Sequence, residues 1–195
     1  RSGLFIDEEA KIITQSSGLS DCSSLTVNGI YKYKIAAENK DLDLVLLAPE
    51  QVLKPLSVIE YTTTTPKIGE QVALSSFSYQ GKLNRSTLTE GTVRELEDLG
   101  GDKRKFRVSI PVNPGDSGGG LFDLSGNFIG LHLAEPSYIN LDAQIVLKAR
   151  EITKFLGEVG LSELKRSYRA EPLDLRQIDS MANRVTALIS CWEQY

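Results

Sequence analysis

The sequence predicts an all-β fold of many short antiparallel strands, with helical structure confined to its last third. Two patterns carry this prediction: short runs rich in β-branched and aromatic residues, and turn-forming residues at close intervals between them. A third pattern is the change to helical spacing of apolar residues after about residue 145. Short strands at this spacing are typical of a β-sandwich or a pair of β-barrels.

The predicted strands follow one another from the start of the sequence to residue 133. The pair Asn28-Gly29 lies between two alternating runs and predicts a tight hairpin, because both residue types tolerate a positive φ. The runs that we interpret as strands are 4–6, 11–14, 24–27, 30–35, 44–47, 71–77, 88–96, 105–110, 120–122 and 127–133.

The last third predicts two helices, over 145–156 and over 174–192. In the second helix, apolar side chains step by three and four residues and form a stripe of Ile178, Met181, Val185, Leu188 and Trp192. A single helix of this length gains little stability alone, so the stripe must be buried against something. Packing on its own β domain is one interpretation. The other is a protein partner, a neighbouring domain or a second copy, which makes the stripe a candidate partner-binding and oligomer contact.

The composition excludes several classes of function. With 22 Lys and Arg against 26 Asp and Glu, the net charge is −4, and no basic run suggests nucleic acid as a partner. Apolar stretches are too short for direct membrane insertion. Cys22, Cys191 and the single histidine are too few for a zinc site, so we expect neither a metal nor a cofactor. The two cysteines either form one disulfide or remain buried thiols.

The stretch with chemical content is Asn-Pro-Gly-Asp-Ser-Gly-Gly-Gly-Leu, over residues 113–121. Ser117 lies between glycines on a turn that enters a strand, as an acyl-transfer nucleophile requires. The glycines let the backbone turn tightly and direct N–H groups at a developing oxyanion.

This stretch resembles the trypsin-like family of double β-barrel serine proteases, most of all the bacterial HtrA (Deg) branch. Residues 2–7, 42–47 and 143–146 are similar to the family's opening strand, its triad-aspartate strand and its final strand before the C-terminal helix. The resemblance implies a chymotrypsin-like double six-stranded antiparallel β-barrel over residues 1–157. A helical C-terminal extension would then cover 158–195.

The same resemblance assigns roles to individual residues. Ser117 matches the nucleophile, Asp43 matches the triad aspartate, and Gly115, Asp116 and Ser117 match the oxyanion hole. His132 lies on the strand that walls the substrate pocket in relatives, which makes it a substrate-cleft residue on the wrong side of the nucleophile for a general base.

The general base itself is missing from its expected position. The segment Thr14-Gln15-Ser16-Ser17-Gly18 stands where the family has Thr-Asn-Ala-His-Val, so Ser17 occupies the histidine position. A serine hydroxyl does not accept a proton near neutral pH, and its side chain is too short to reach from Asp43 to Ser117. We therefore predict a catalytically inactive trypsin-like domain, a pseudoprotease that binds proteins or peptides or acts as a scaffold.

Two other functions stay open at this point. One is an active serine endopeptidase whose base is unorthodox, with His132 the first suspect, or is supplied by a partner. The other is a peptide-binding sensor module of a larger regulatory protein. The bacterial relatives imply a periplasmic or membrane-tethered location, and a cytoplasmic one stays open.

Overall fold

The computed structural model describes residues 1–62, 64–135, 143–161 and 165–192. Within them the chain forms the following elements in order: β1 (Ser2–Phe5), β2 (Ile12–Gln15), β3 (Ser24–Val27), β4 (Tyr31–Asn39), β5 (Leu44–Pro49), β6 (Gln71–Ser76), a 3-10 turn (Ser78–Gly81), β7 (Thr87–Glu95), β8 (Lys105–Ser109), β9 (Gly120–Asp123), β10 (Phe128–Leu133), β11 (Gln144–Lys148), α1 (Ala149–Glu158), α2 (Leu175–Val185) and β12 (Thr186–Trp192).

The strands close into two six-stranded antiparallel barrels, which confirms the predicted fold class. The first barrel has the order β1-β12-β3-β4-β5-β2, and the second has the order β10-β11-β8-β7-β6-β9. Each barrel encloses a core of alternating inward side chains, such as Ile12 and Leu47 in the first and Phe106 and Leu121 in the second. A further buried cluster fills the space between the barrels and beneath the two helices.

The predicted helix over 174–192 is wrong in its second half. Helix α2 ends at Val185, and residues 186–192 form β12, which pairs with β1 through Ser2 and Leu188 and with β3 through Ser24 and Trp192. A strand in this place gains two hydrogen-bonded ladders and closes the barrel, which outweighs the helical spacing of its apolar residues. The C-terminal part is therefore not purely helical, because it supplies a strand to the first barrel.

The predicted partner-binding stripe consequently splits into two parts. On α2, Ile178 and Val185 are buried in the core cluster between the barrels, and Met181 packs against it. On β12, Leu188 is half-buried, and Trp192 is 53 % exposed with its indole N–H donating to Thr26 Oγ1. The five side chains do not form one exposed helix face, so a single partner surface made from all of them is excluded.

The helix predicted over 145–156 is displaced. Its first residues belong to β11, which pairs with β8 and β10, and α1 begins only at Ala149. The family resemblance, which implies a strand followed by a helix here, describes this region better than the periodicity of its apolar residues.

A disulfide joins Cys22, in the loop after β2, to Cys191 in β12. It fixes the strand that closes the first barrel to the loop that follows the candidate active site. None of the described helices is long and apolar enough to cross a membrane.

Candidate active site

Ser117 lies in the loop between β8 and β9, residues 110–119, which we call the nucleophile loop. The buried side chain of Asp116 holds this loop in place. The Asp116 side chain is 1 % exposed, and its carboxylate accepts hydrogen bonds from Ser76 Oγ at 2.7 Å, Ser78 Oγ at 2.6 Å and the Asn113 N–H at 2.6 Å. A buried carboxylate needs such donors, and here they tie the loop to β6 and to its own first residue.

Two peptide groups of this loop have carbonyl oxygens that accept hydrogen bonds from other backbone N–H groups. The Pro114 carbonyl accepts from the Gln80 N–H at 2.9 Å, and the Asp116 carbonyl accepts from the Gly119 N–H at 2.9 Å. Because the N–H and C=O of a trans peptide point in opposite directions, the N–H groups of Gly115 and Ser117 face away from these partners. In the described part of the chain, neither N–H donates to a protein acceptor. We interpret these two N–H groups as the oxyanion-hole donors that the sequence predicts.

Asp116, predicted as a third member of the oxyanion hole, does not contribute an N–H to it. Its N–H donates to the Asn113 carbonyl at 3.1 Å and closes the turn instead. The role of Asp116 is to position the loop through its carboxylate.

The residue after the nucleophile must be glycine. Gly118 has a φ of +79°, and a Cβ built there would lie 2.2 Å from both the Ser2 carbonyl oxygen and Thr14 Oγ1. These atoms belong to the first barrel, so Gly118 marks the place where the nucleophile loop contacts the opposite barrel. Ser117 completes this junction, since its carbonyl accepts from the Ser2 N–H at 2.9 Å.

Asp43 and Ser17 are adjacent, as their sequence positions predict. Asp43 lies immediately before β5 with a φ of +53°, and its carboxylate accepts from the Ser17 N–H at 2.7 Å and from Ser17 Oγ at 2.8 Å. Ser17 does not reach Ser117, because the Ser17 hydroxyl is directed at Asp43 and its side chain is short.

The side chain that joins Asp43 to Ser117 is that of Gln15, which the sequence analysis did not single out. Gln15 Nε2 donates to Asp43 Oδ2 at 2.7 Å, and Gln15 Oε1 accepts a hydrogen bond from Ser117 Oγ. An amide from the last residue of β2 thus takes the place between aspartate and serine that an imidazole occupies in a catalytic triad.

The orientation of this amide is fixed by the backbone of Ala134, just after β10. Gln15 Oε1 accepts from the Ala134 N–H at 2.9 Å, and Nε2 donates to the Ala134 carbonyl at 3.0 Å. All four hydrogen-bonding positions of the amide are then occupied, and the side chain is 2 % exposed. The sequence contains a signal for this role. Gln15 lies two residues before Ser17, which occupies the base position, and a glutamine side chain is long enough to reach Ser117 whereas a serine side chain is not.

His132 lies behind the nucleophile loop instead of beside the serine hydroxyl. Its ring is buried, with Nδ1 3.2 Å from the Asp116 carbonyl oxygen and Nε2 3.4 Å from Gln144 Oε1. Burial lowers the pKa of His132, so the neutral ring is favoured. Both ring nitrogens face groups other than Ser117, which rules out His132 as its base in this arrangement. The ring lies in the wall beneath the cleft, not on its open surface.

The fold agrees with comparisons to known proteins. Residues 1–131 match the family described as the trypsin-like peptidase domain. The chain belongs to this family. Trypsin-like serine proteases therefore provide the reference for its site.

A curated relative and solved structures extend the comparison. The Sinorhizobium fredii protein y4bJ, described as uncharacterized, is 27 % identical over an alignment of 204 residues, which covers 97 % of this chain. The chain spans only 32 % of that relative's length. The inactive form of the Rv3671c protease of M. tuberculosis is 22 % identical, with a TM-score of 0.61 over 81 % of this chain and 82 % of that one.

A serine endoprotease from Yersinia pestis is similar at 18 % identity, with a TM-score of 0.66 over 83 % of this chain and 57 % of that one. At these identities the two solved structures establish the fold alone, so the activity of this chain is argued from its own residues.

Proposed function

We propose that this chain is a proteolytically inactive trypsin-like domain that acts by binding a protein or peptide. The observation that carries the proposal is the Gln15 amide, which fills the space between Asp43 and Ser117.

An amide in this place cannot activate the serine. Gln15 Oε1 accepts the hydrogen bond of Ser117 Oγ, yet a neutral amide does not take up the proton that the hydroxyl must lose when it attacks a carbonyl. Removing one triad residue from well-studied serine proteases lowers turnover by about 10⁴- to 10⁶-fold. The oxyanion hole alone retains about 10³-fold over water, too little for a working protease.

The parts of the site that bind rather than react are kept. The N–H groups of Gly115 and Ser117 face the cleft without a protein acceptor among the described residues, and they would donate to a carbonyl or carboxylate oxygen of a bound peptide. The Gln15 amide supports this role, because its hydrogen bonds to Ala134 fix it in place and it holds the Ser117 hydroxyl in one orientation.

The test is labelling of Ser117 with a fluorophosphonate, which reacts with activated serines. The family motif supplies the matched variant: Gln15→Asn with Ser17→His restores Asn and His at their family positions. We expect no labelling of the unmodified chain. We also expect little from Ser17→His alone, because Gln15 still occupies the imidazole space. The double variant should label.

Ser117→Ala in the double-variant background is the control, since any label that survives it lies elsewhere. Rapid labelling of the unmodified chain at Ser117, or cleavage of casein that Ser117→Ala abolishes, would overturn the proposal and show that Ser117 has a working general base.

A further inference from the structure

A cavity that Ser117 does not line lies between the first barrel and the segment after β6. It has a volume of about 550 Å³, in the range of about 300–1,000 Å³ that is usual for ligand pockets. Its lining includes Tyr31 and Leu188 of the first barrel and Leu53 from the loop after β5. The segment after β6 contributes Phe77 and Gly81.

The charge of this cavity is opposite to that of the chain. Lys54, Arg85 and Arg184 line it, and none of the described lining residues is acidic, although the whole chain has a net charge of −4. Arg85 pairs with Asp179 at 3.0 Å, outside the lining. In the described part of the chain, Lys54 and Arg184 have no ion pair, and both side chains are exposed. Arg184 donates to the Leu56 carbonyl at 3.4 Å, and the positive charges of Lys54 and Arg184 are both available to an anionic ligand.

The mouth of the cavity is also unusually apolar for a surface. Leu56 is 80 % exposed and Leu83 is 42 % exposed, and both line it. Val52 and Ile30, at 98 % and 74 % exposure, directly precede the lining residues Leu53 and Tyr31 in the sequence. Exposed apolar side chains grouped around a concave site mark a surface that binds a macromolecule, since a small ligand inside the cavity would leave them in water.

We propose that this cavity binds an acidic peptide segment of a partner protein, with a Leu or Phe side chain inserted in the cavity and flanking carboxylates on Lys54 and Arg184. The charge of the lining selects the carboxylates, and the apolar wall and mouth select the inserted side chain.

This site names a partner chemistry for the binding role proposed above, and the Ser2 hydroxyl links it to the nucleophile loop through two hydrogen bonds. Phe77, in the cavity wall, donates its N–H to Ser2 Oγ at 2.8 Å, and Ser2 Oγ donates to the Gly115 carbonyl at 2.8 Å. A peptide in the cavity would therefore contact the segment that supports the oxyanion hole. Binding there does not need Ser117, so it stands even if Ser117 proves reactive.

The test selects peptides that bind the chain from a random phage-displayed library and measures the affinity of each selected peptide in its C-terminally amidated form. We expect the selected peptides to place Asp or Glu beside Leu or Phe. The double variant Lys54→Glu/Arg184→Glu should bind them at least about tenfold more weakly, because both flanking contacts become repulsive. Lys40→Glu/Lys154→Glu, which makes the same change of charge at exposed lysines outside the lining, should bind them within about twofold of the unmodified chain.

The milder pair Lys54→Gln/Arg184→Gln replaces the charge reversal if circular dichroism shows that the latter is misfolded. The proposal would be overturned if no peptide is selected or if the selected peptides lack acidic residues. Equal binding by the Lys54→Glu/Arg184→Glu and Lys40→Glu/Lys154→Glu variants would also overturn it. Binding of decanoate alone, with no peptide selected, would show a site for small anions and overturn it too. The affinity measurement depends on Lys54 and Arg184, and the labelling experiment depends on Ser117, so failure of one proposal is distinguishable from failure of the other.

Discussion

The nucleophile loop and the segment that would carry the general base meet at one site but are held very differently. Asp116, beneath the loop, is 1 % exposed and accepts three hydrogen bonds, and Gly118 contacts the opposite barrel. Ser17 is exposed, and its side chain bonds to Asp43 alone among the described residues. The loop geometry is thus needed for the two barrels to join, whereas the residue at the base position is not. A complete nucleophile loop is therefore weak evidence of catalysis.

The largest difference between the two segments is expected for glycine-to-alanine changes. In Gly118→Ala the new Cβ meets the Ser2 carbonyl oxygen and Thr14 Oγ1, both 2.2 Å away, and the positive φ adds strain. We expect a loss of at least about 3 kcal/mol in the free energy of unfolding. In Gly18→Ala the φ is +76°, but the nearest atom is the flexible end of Arg1, so the loss should be about 1 kcal/mol. Urea unfolding of both variants measures this, and equal losses would contradict the comparison.

The two aspartates provide a second, smaller contrast. Asp116→Ala leaves two buried serine hydroxyls and the Asn113 N–H without their acceptor, and we expect it to cost about 3 kcal/mol of stability. Asp43→Ala should cost less, about 2 kcal/mol, because the Ser17 groups that it releases are exposed to water and only the Gln15 amide loses a buried acceptor. Thermal unfolding of both variants decides. A larger loss for Asp43→Ala would show that the base segment is the more constrained of the two.

The smallest expected effect concerns His132, which packs beneath the nucleophile loop. Its pKa is lowered by burial from 6.5, so the unfolded chain takes up the proton more readily than the folded one. Its neutral state contributes fully to stability above pH 6.5, and this contribution falls as the pH decreases below that value. His132→Asn should remove that part of the pH dependence. Unfolding measured from pH 7.5 to 5 tests it, and identical slopes for the two proteins would refute it.

The strands and the nucleophile loop were predictable because each is encoded locally. β3, for example, occupies the predicted 24–27 and turns at Asn28-Gly29, where the short β-branched runs and the turn-forming pair lie side by side in the sequence. The loop at Ser117 is a continuous motif. In both cases the information sits within a few residues, so periodicity and motif are sufficient.

The two features that escaped prediction depend on distant partners. β12 has apolar residues at helical spacing, and only its pairing with β1 and β3, more than 150 positions earlier, makes it a strand. The motif does not predict the role of Gln15, because a motif assigns the general base to one position, here that of Ser17. It carries no information on how far a neighbouring side chain extends. Its amide is defined by Asp43, Ser117 and Ala134, which only the folded chain brings together.

The place of β12 in the first barrel has a consequence for biosynthesis. A ribosome delivers all six strands of the second barrel as one uninterrupted stretch, from Gln71 to Lys148, so that barrel can close while the chain is still growing. The first barrel begins with Ser2 yet lacks a wall until Thr186–Trp192 has been made. The half of the molecule that is synthesised first is thus the last to be completed, and in the meantime the edges of β1 and β3 have no neighbour between them.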